Sequence, residues 1–316
     1  MHAFLHAVTV FWEHLSAVRW DALGIALSLH LLKLVARSLA WRNILAASYP
    51  GVRIKRPGVF GAYAAGVGVN AIAPARAGDL IKLYLVKRRV EGATYPTLAP
   101  TLLVETLLDM VIAGGLFVWA LTLGVLPSRQ IVGQLPSVDW AWPFRHPSAT
   151  LAILGVLFLA ALGSFIVARH RVADFRRRVG RGFAILGDFK AYLRLVVSWQ
   201  LLSWVLRLAS VYWFLRAFDL AATVRNAFLV QVVDSLSTLL PFTPGGAGTK
   251  QGLLAYVLHN RFSVSSVLSF SVGMNIALVA VNVVVGFTAL FLLARTLSWR
   301  RLAAAQKDES EGTAPA

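Results

Sequence analysis

Long apolar segments alternate with short polar ones along almost the whole chain. An α-helix needs about 20 apolar residues to cross a bilayer, and five runs approach or exceed that length. They occupy residues 21–41, 97–126, 148–168, 195–215 and 264–294. This pattern predicts an all-α polytopic membrane protein with at least these five spans.

Shorter apolar segments flank two stretches in which a helix cannot continue. The first stretch runs from Asn70 to Asp79 and the second from Pro241 to Gly252, and both are rich in proline or glycine. Lipid tolerates non-helical backbone only where protein or water satisfies its polar groups. Each stretch is therefore a candidate site, and each is the predicted tip of a hairpin, over 58–90 and 226–260.

The two halves of the chain share a register in which residue n of the first half corresponds to residue n + 170 of the second. Pro74 corresponds to Pro244, Gly78 to Gly248 and the arginine at 37 to the arginine at 207. Because the motif and the arginine agree in register, we interpret the chain as an internal repeat.

The distribution of Lys and Arg predicts the orientation of the spans. If both hairpins are re-entrant, 19 Lys and Arg lie on one side, in 42–57, 87–96, 169–194 and the C-terminal tail, and 6 lie on the other. Basic loops stay in the cytoplasm, so we expect an inner-membrane protein with an inverted repeat. The alternative draws the hairpins as full spans and gives seven or eight crossings.

This topology divides the chain into five parts. Repeat 1 and repeat 2 each contain a span, a re-entrant hairpin and a second span, and the part between them contains an extracytoplasmic loop, the span 148–168 and a basic cytoplasmic loop. The parts are an N-terminal segment (1–20), repeat 1 (21–126), the connecting part (127–194), repeat 2 (195–294) and a disordered tail (295–316).

Composition excludes several classes of protein and site. The chain is 58% hydrophobic with a mean hydropathy of +0.68, which is more hydrophobic than soluble domains are. Its charged fraction of 14% is lower than theirs. Its net charge of +17 is explained by basic loops, so nucleic acid is not an expected partner. The absence of cysteine excludes disulfides and thiolate sites. The N-terminus has neither a basic region nor a cleavage site, so we expect no cleaved signal peptide.

Three motifs together resemble the lysylphosphatidylglycerol synthase transmembrane-region family. They are Asn70-x-x-x-Pro74-x-Arg76-x-Gly78-Asp79, Glu105-x-x-x-Asp109 and Pro241-x-x-Pro244-Gly-Gly-x-Gly248. The resemblance covers about residues 20 to 295. It implies a stand-alone relative of the flippase-like domain of aminoacyl-phosphatidylglycerol synthases, without the soluble transferase domain.

The two hairpin tips supply the candidate lipid-binding residues. Helix N-termini after Gly78 and Gly248 would direct free N–H groups toward an anionic headgroup, and two cations would add to them. On the other interpretation, Arg76 pairs with Asp79 or Glu105 and only stabilises the hairpin. The candidates for substrate binding are Arg76, Gly78, Pro244, Gly245, Gly246, Gly248, Thr249 and Lys250.

Acidic residues within the apolar segments form a second group of candidates. Glu105 and Asp109 are one helical turn apart and should face Arg76, Lys82 or water rather than lipid. They could carry a proton or form structural ion pairs, as could Asp79, and Asp234 could be a counter-ion for Lys250 or Arg207. Structural polar roles are assigned to Asn70, Asn275 and Arg207, whereas Arg37 is expected to snorkel to the membrane surface.

These features favour a transporter over an enzyme. The seven histidines show no metal-ligand spacing, and no nucleophile elbow or Walker loop is present, so we expect no catalysis, metal or cofactor. We predict a flippase-like or scramblase-like protein that moves a lipid with an anionic headgroup. The alternative is a non-transporting membrane subunit that binds lipid and scaffolds or regulates an enzyme of envelope synthesis.

Overall fold

A computed structural model describes residues 18–73, 76–122, 174–239, 249–258 and 262–312. Within these ranges all regular secondary structure is helical. The helices, numbered in chain order, are α1 (Trp20–Ser48), α2 (Arg56–Ile72), α3 (Ala77–Lys87), α4 (Tyr95–Thr122), α5 (174–182), α6 (Phe189–Ala217), α7 (Val224–Leu239), α8 (Thr249–Leu258) and α9 (Val264–Gly312).

Four of these helices contain segments long and apolar enough to cross a membrane. Their outer faces remain apolar: Val205, Val284 and Phe291 are each more than 60% exposed, as expected for side chains that contact lipid. The chain is thus a multi-pass membrane protein. The fifth predicted span, 148–168, lies outside the described residues. The four segments are Trp20–Ser48, Tyr95–Leu116, Phe189–Ala217 and Val264–Leu293.

Both helix-breaking stretches lie between paired shorter helices. In the first, α2 ends at Ile72 and α3 begins at Ala77; in the second, α7 ends at Leu239 and α8 begins at Thr249, while 240–248 lie outside the described residues. Adding 170 to the bounds of α1 gives 190–218, which agrees with α6 to one residue. The same shift places α2 and α3 on α7 and α8 within three residues, and the start of α4 on the start of α9 within one.

The helices pack in pairs that join the two halves of the chain. The most extensive contact in the described ranges joins α1 to α6, and the next joins α2 to α9. At the α2–α9 crossing a Cβ on Gly286 would lie only 2.5 Å from Cα of Gly68. Glycine at both positions therefore allows the backbones to touch, which is a common way to pack membrane helices.

Three predicted boundaries differ from the structure. Helix α1 continues seven residues past the predicted end at 41, because residues 42–48 contain no proline or glycine and Ile44 and Leu45 are fully buried. The described part of the loop 169–194 is largely helical. Helix α9 reaches Gly312 although 295–316 was predicted to be disordered; residues 295–311 lack proline and glycine and are rich in strong helix formers.

Candidate functional site

A hydrogen bond between Asn70 and Gly78 joins the end of α2 to the start of α3. Asn70 Oδ1 accepts a hydrogen bond from the Gly78 amide at 2.7 Å, and Asn70 Nδ2 donates to Asp79 Oδ1 at 3.3 Å. A Cβ on residue 78 would overlap the carbonyl oxygen of Gly66, so α2 and α3 can approach only with glycine there. The Gly78 amide, predicted to face a headgroup, is thus hydrogen-bonded within the protein.

Arg76 lies at the exposed end of this hairpin. Its backbone is left-handed (φ 58°), its side chain is 74% exposed, and its Nε lies 3.3 Å from Asp79 Oδ2. Of the two partners named for Arg76 in the sequence analysis, the structure places Asp79 beside it. Glu105 lies elsewhere, with other cations.

Glu105 is the centre of a buried group of charged and aromatic side chains. Its Oε1 accepts hydrogen bonds from Arg37 at 3.0 Å and from the Tyr63 hydroxyl at 2.8 Å, and its Oε2 accepts one from Lys82 at 2.8 Å. Lys82 Nζ also lies over the Tyr63 and Trp41 rings, 4.1 and 4.5 Å from their centroids. Every oxygen of this carboxylate has a partner, as a buried charge requires.

Asp109 extends the group by one helical turn. Its Oδ2 lies 2.7 Å from Arg37 Nη2, and its Oδ1 accepts a hydrogen bond from Trp204 Nε1 at 2.8 Å. We call Arg37, Tyr63, Lys82, Glu105 and Asp109 the Glu105 cluster. Its two cations balance its two carboxylates.

Asp234 pairs with both cations that the sequence analysis named for it. Lys250 Nζ donates to Asp234 Oδ1 at 2.5 Å, and Arg207 donates to Asp234 Oδ2. The Arg207 guanidinium also lies 5.1 Å from the centroid of the Trp204 ring. Because the same indole donates to Asp109, Trp204 connects this group to the Glu105 cluster.

A cavity of about 90 Å³ lies beside Asp234 and has room for several water molecules or one small anionic group. Lys33 is among its lining residues. Lys33 Nζ donates to His30 Nδ1 at 3.2 Å, while His30 Nε2 donates to Asn282 Oδ1 at 2.8 Å. Within the described ranges Lys33 makes no salt bridge.

The described lining of this cavity has more basic than acidic residues. Among the described residues that line it, Lys33, Arg207 and Lys250 are basic and Asp234 is the one carboxylate. We call these four residues the Asp234 cluster. In contrast to the Glu105 cluster, in which two cations meet two carboxylates, its described basic residues outnumber its described acidic ones.

The main residues that the sequence analysis missed are Arg37 and Lys33. Arg37 does not snorkel to the surface; it bonds two carboxylates and is only 15% exposed. The repeat register contained the signal, since Arg37 corresponds to Arg207 and each arginine pairs with acids at the centre of a cluster. Trp204 and Tyr63 had no comparable signal, because aromatic residues are common in apolar segments.

The structure describes two of the remaining predicted residues and not the other four. Thr249 is the first residue of α8, and Asn275 is a partly buried residue of α9. Within the described residues no three His, Cys, Asp or Glu side chains come together as a metal site requires. Four candidates lie outside the described ranges: Pro244, Gly245, Gly246 and Gly248.

Comparison with known proteins gives one match. A family model described as the lysylphosphatidylglycerol synthase TM region matches residues 3–286. No curated protein and no solved structure matches the chain. The match spans both clusters and both hairpins, and it includes no catalytic domain.

Proposed function

This chain belongs to the lysylphosphatidylglycerol synthase TM region family, the flippase-like membrane domain, and we propose that it moves a lipid with an anionic headgroup between leaflets. The proposal that the headgroup is anionic rests on one observation. Among the described residues that line the cavity of the Asp234 cluster, three are basic and one is acidic.

A partly buried excess of basic residues favours an anionic ligand. Charged side chains inside a membrane protein are costly unless they are paired or face a water-filled cavity, and they commonly mark substrate pathways. A phosphodiester headgroup in the cavity would bring one negative charge to these basic residues.

Asp234 gives the proposed site a way to release its ligand. In the structure its carboxylate binds Lys250 and Arg207. An entering phosphate would compete with Asp234 for these two cations, and the returning carboxylate would displace the phosphate. A site that exchanges one anion for another avoids binding so tightly that transport stops.

We also propose that the two halves form an inverted repeat with re-entrant hairpins at 58–90 and 226–260. The agreement of helix bounds at a shift of 170 supports the repeat. The packing supports it too, because α2 contacts α9 while its counterpart α7 contacts α4, the counterpart of α9. The loop charges support cytoplasmic placement of 42–57 and 87–96, and hence insertion in a cytoplasmic membrane.

Lipid movement can be measured with purified protein in liposomes that contain fluorescent phosphatidylglycerol in both leaflets. Dithionite quenches only the outer leaflet at first, so the slower phase reports movement from the inner leaflet. We expect wild type to accelerate that phase and Lys250→Gln to reduce the acceleration by on the order of tenfold, because hydrogen bonds to charged groups contribute about 1.5–3 kcal/mol. Lys87→Gln, at an exposed lysine, is the matched control and should behave as wild type.

A second variant separates transport from folding. Within the described ranges Lys33 makes no salt bridge but donates to His30, so Lys33→Gln should cost no more than about 0.5–1.5 kcal/mol of stability and still reduce lipid movement. Equal rates for wild type, Lys250→Gln and Lys33→Gln would refute the proposed site. Failure of wild type to accelerate movement of any anionic lipid would instead favour a non-transporting subunit.

A further inference from the structure

A second cavity lies where α2 begins and α3 ends. Its volume is about 230 Å³. Its wall consists of the turn before α2, the first residues of α2, and the residues at and after the end of α3. We call it the basic cavity, and its lining residues are Arg53, Ile54, Lys55, Pro57, Gly58, Val59, Val86, Arg89 and Val90.

The polar part of the basic cavity is cationic. Arg53, Lys55 and Arg89 line it, and none of its other lining residues in the described part of the chain is acidic. Arg89 is held in place, because its Nη2 donates to the carbonyl oxygen of Leu293 at 2.9 Å. A Cβ on Gly58 would lie 3.8 Å from the Arg89 side chain, so this arginine rests against the first turn of α2.

The start of α2 adds to the positive potential. Its N-cap residue, Lys55, makes no side-chain capping bond, the first turn contains Pro57 and no acidic residue, and the helix is 17 residues long. The dipole of such a helix favours an anion at this end.

The floor of the basic cavity is apolar. Ile54, Val59, Val86 and Val90 are each no more than 7% exposed and pack into the core beneath the cations. The volume is below the roughly 300–1,000 Å³ of sites for drug-sized ligands. A phosphate group with a short apolar neighbour fits this combination better than a whole lipid or a fully hydrated ion.

We propose that the basic cavity binds the phosphate group of an anionic ligand, with an anionic phospholipid headgroup at the membrane surface as the favoured source. Basic pockets at the ends of membrane helices recognise such headgroups. The alternative source is a free phosphate. This proposal concerns binding at the hairpin base and does not depend on lipid movement through the Asp234 cluster.

The test compares two double variants that remove equal charge. Arg53→Gln with Lys55→Gln neutralises two cations of the cavity, whereas Lys87→Gln with Arg88→Gln neutralises two exposed cations nearby that do not line it. Binding to full-length protein in uncharged detergent is measured by native mass spectrometry and thermal shift. The probes are dioctanoylphosphatidylglycerol, inorganic phosphate and dioctanoylglycerol, which has the same tails without phosphate.

All variants are compared in a Lys250→Gln background, which weakens binding at the Asp234 cluster. We expect dioctanoylphosphatidylglycerol to bind this background protein and the Lys87/Arg88 variant with affinities within about twofold, and the Arg53/Lys55 variant at least tenfold more weakly, since charge-assisted bonds are lost. If inorganic phosphate binds more weakly than dioctanoylphosphatidylglycerol, the ligand is a lipid headgroup. If the two bind with equal affinity, the ligand is a free phosphate. Equal loss in both double variants, equal binding of dioctanoylglycerol, or no binding of any probe would overturn the proposal. Lys250→Gln should retain this binding, so the result is separable from the transport experiment.

Discussion

Replacing Glu105 by glutamine removes one negative charge from the Glu105 cluster and changes little else. Glu105 is only 3% exposed and binds Arg37, Tyr63 and Lys82. After the substitution Arg37 retains Asp109 at 2.7 Å. Lys82, which is 5% exposed, loses the carboxylate that neutralises it. Glu105→Gln therefore leaves a buried ammonium without a counter-ion.

The size of the effect follows from that uncompensated charge. Removing one partner of a buried ion pair costs about 3–5 kcal/mol, whereas replacing both partners by apolar groups is often neutral. We therefore expect Glu105→Gln to lower the free energy of unfolding by about 3–5 kcal/mol. Adding Lys82→Met should recover more than half of that loss, since the methionine removes the buried charge and fills a similar volume.

Thermal unfolding in detergent, followed by tryptophan fluorescence and by the monodisperse fraction after heating, measures this effect. Asp174→Asn is the matched control, because the Asp174–Arg177 pair is 65% and 81% exposed and such pairs contribute about 0–1 kcal/mol. An unchanged melting temperature in Glu105→Gln would refute the reasoning. So would a double variant that is no more stable than the single one, since the cost would then not arise from Lys82.

Two further predictions concern helix packing and the first hairpin. Gly286→Ala would place a Cβ 2.5 Å from Gly68 Cα and should lower stability by about 1–3 kcal/mol. The control is Gly114→Ala, which has open space around it and should be neutral or stabilising by about 0.5–1 kcal/mol. Equal melting temperatures of the two variants would contradict the close contact of α2 and α9. Asn70→Ala removes the hydrogen bond from the Gly78 amide and should cost about 0.5–2 kcal/mol of stability. We expect faster hydrogen exchange of the backbone amides at the start of α3. Unchanged exchange would show that this hydrogen bond contributes nothing.

Asp234 and Arg37 show which ion pairs a local sequence pattern can predict and which it cannot. The ion pair of Asp234 was predictable because a carboxylate in an apolar segment must find a cation, and few cations lie in neighbouring segments. Arg37 was misplaced because it lies within a turn of the predicted helix end, where snorkelling is usual. Its real partners, Glu105 and Asp109, are 68 and 72 residues away, and helix α1 continues to Ser48 instead of ending near it.

Features that depend on one segment at a time could be predicted from the amino-acid sequence. Hydrophobic length specified membrane helices, proline and glycine specified where α2 ends, and the motifs specified the family, because hydration and backbone geometry act locally. The pairing of charges depends instead on how the helices pack. The rotation and depth of α1, α4 and α6 set the partners of each ion, so that the Glu105 cluster has two cations and two carboxylates, whereas the described lining of the Asp234 cavity has three basic residues and one carboxylate.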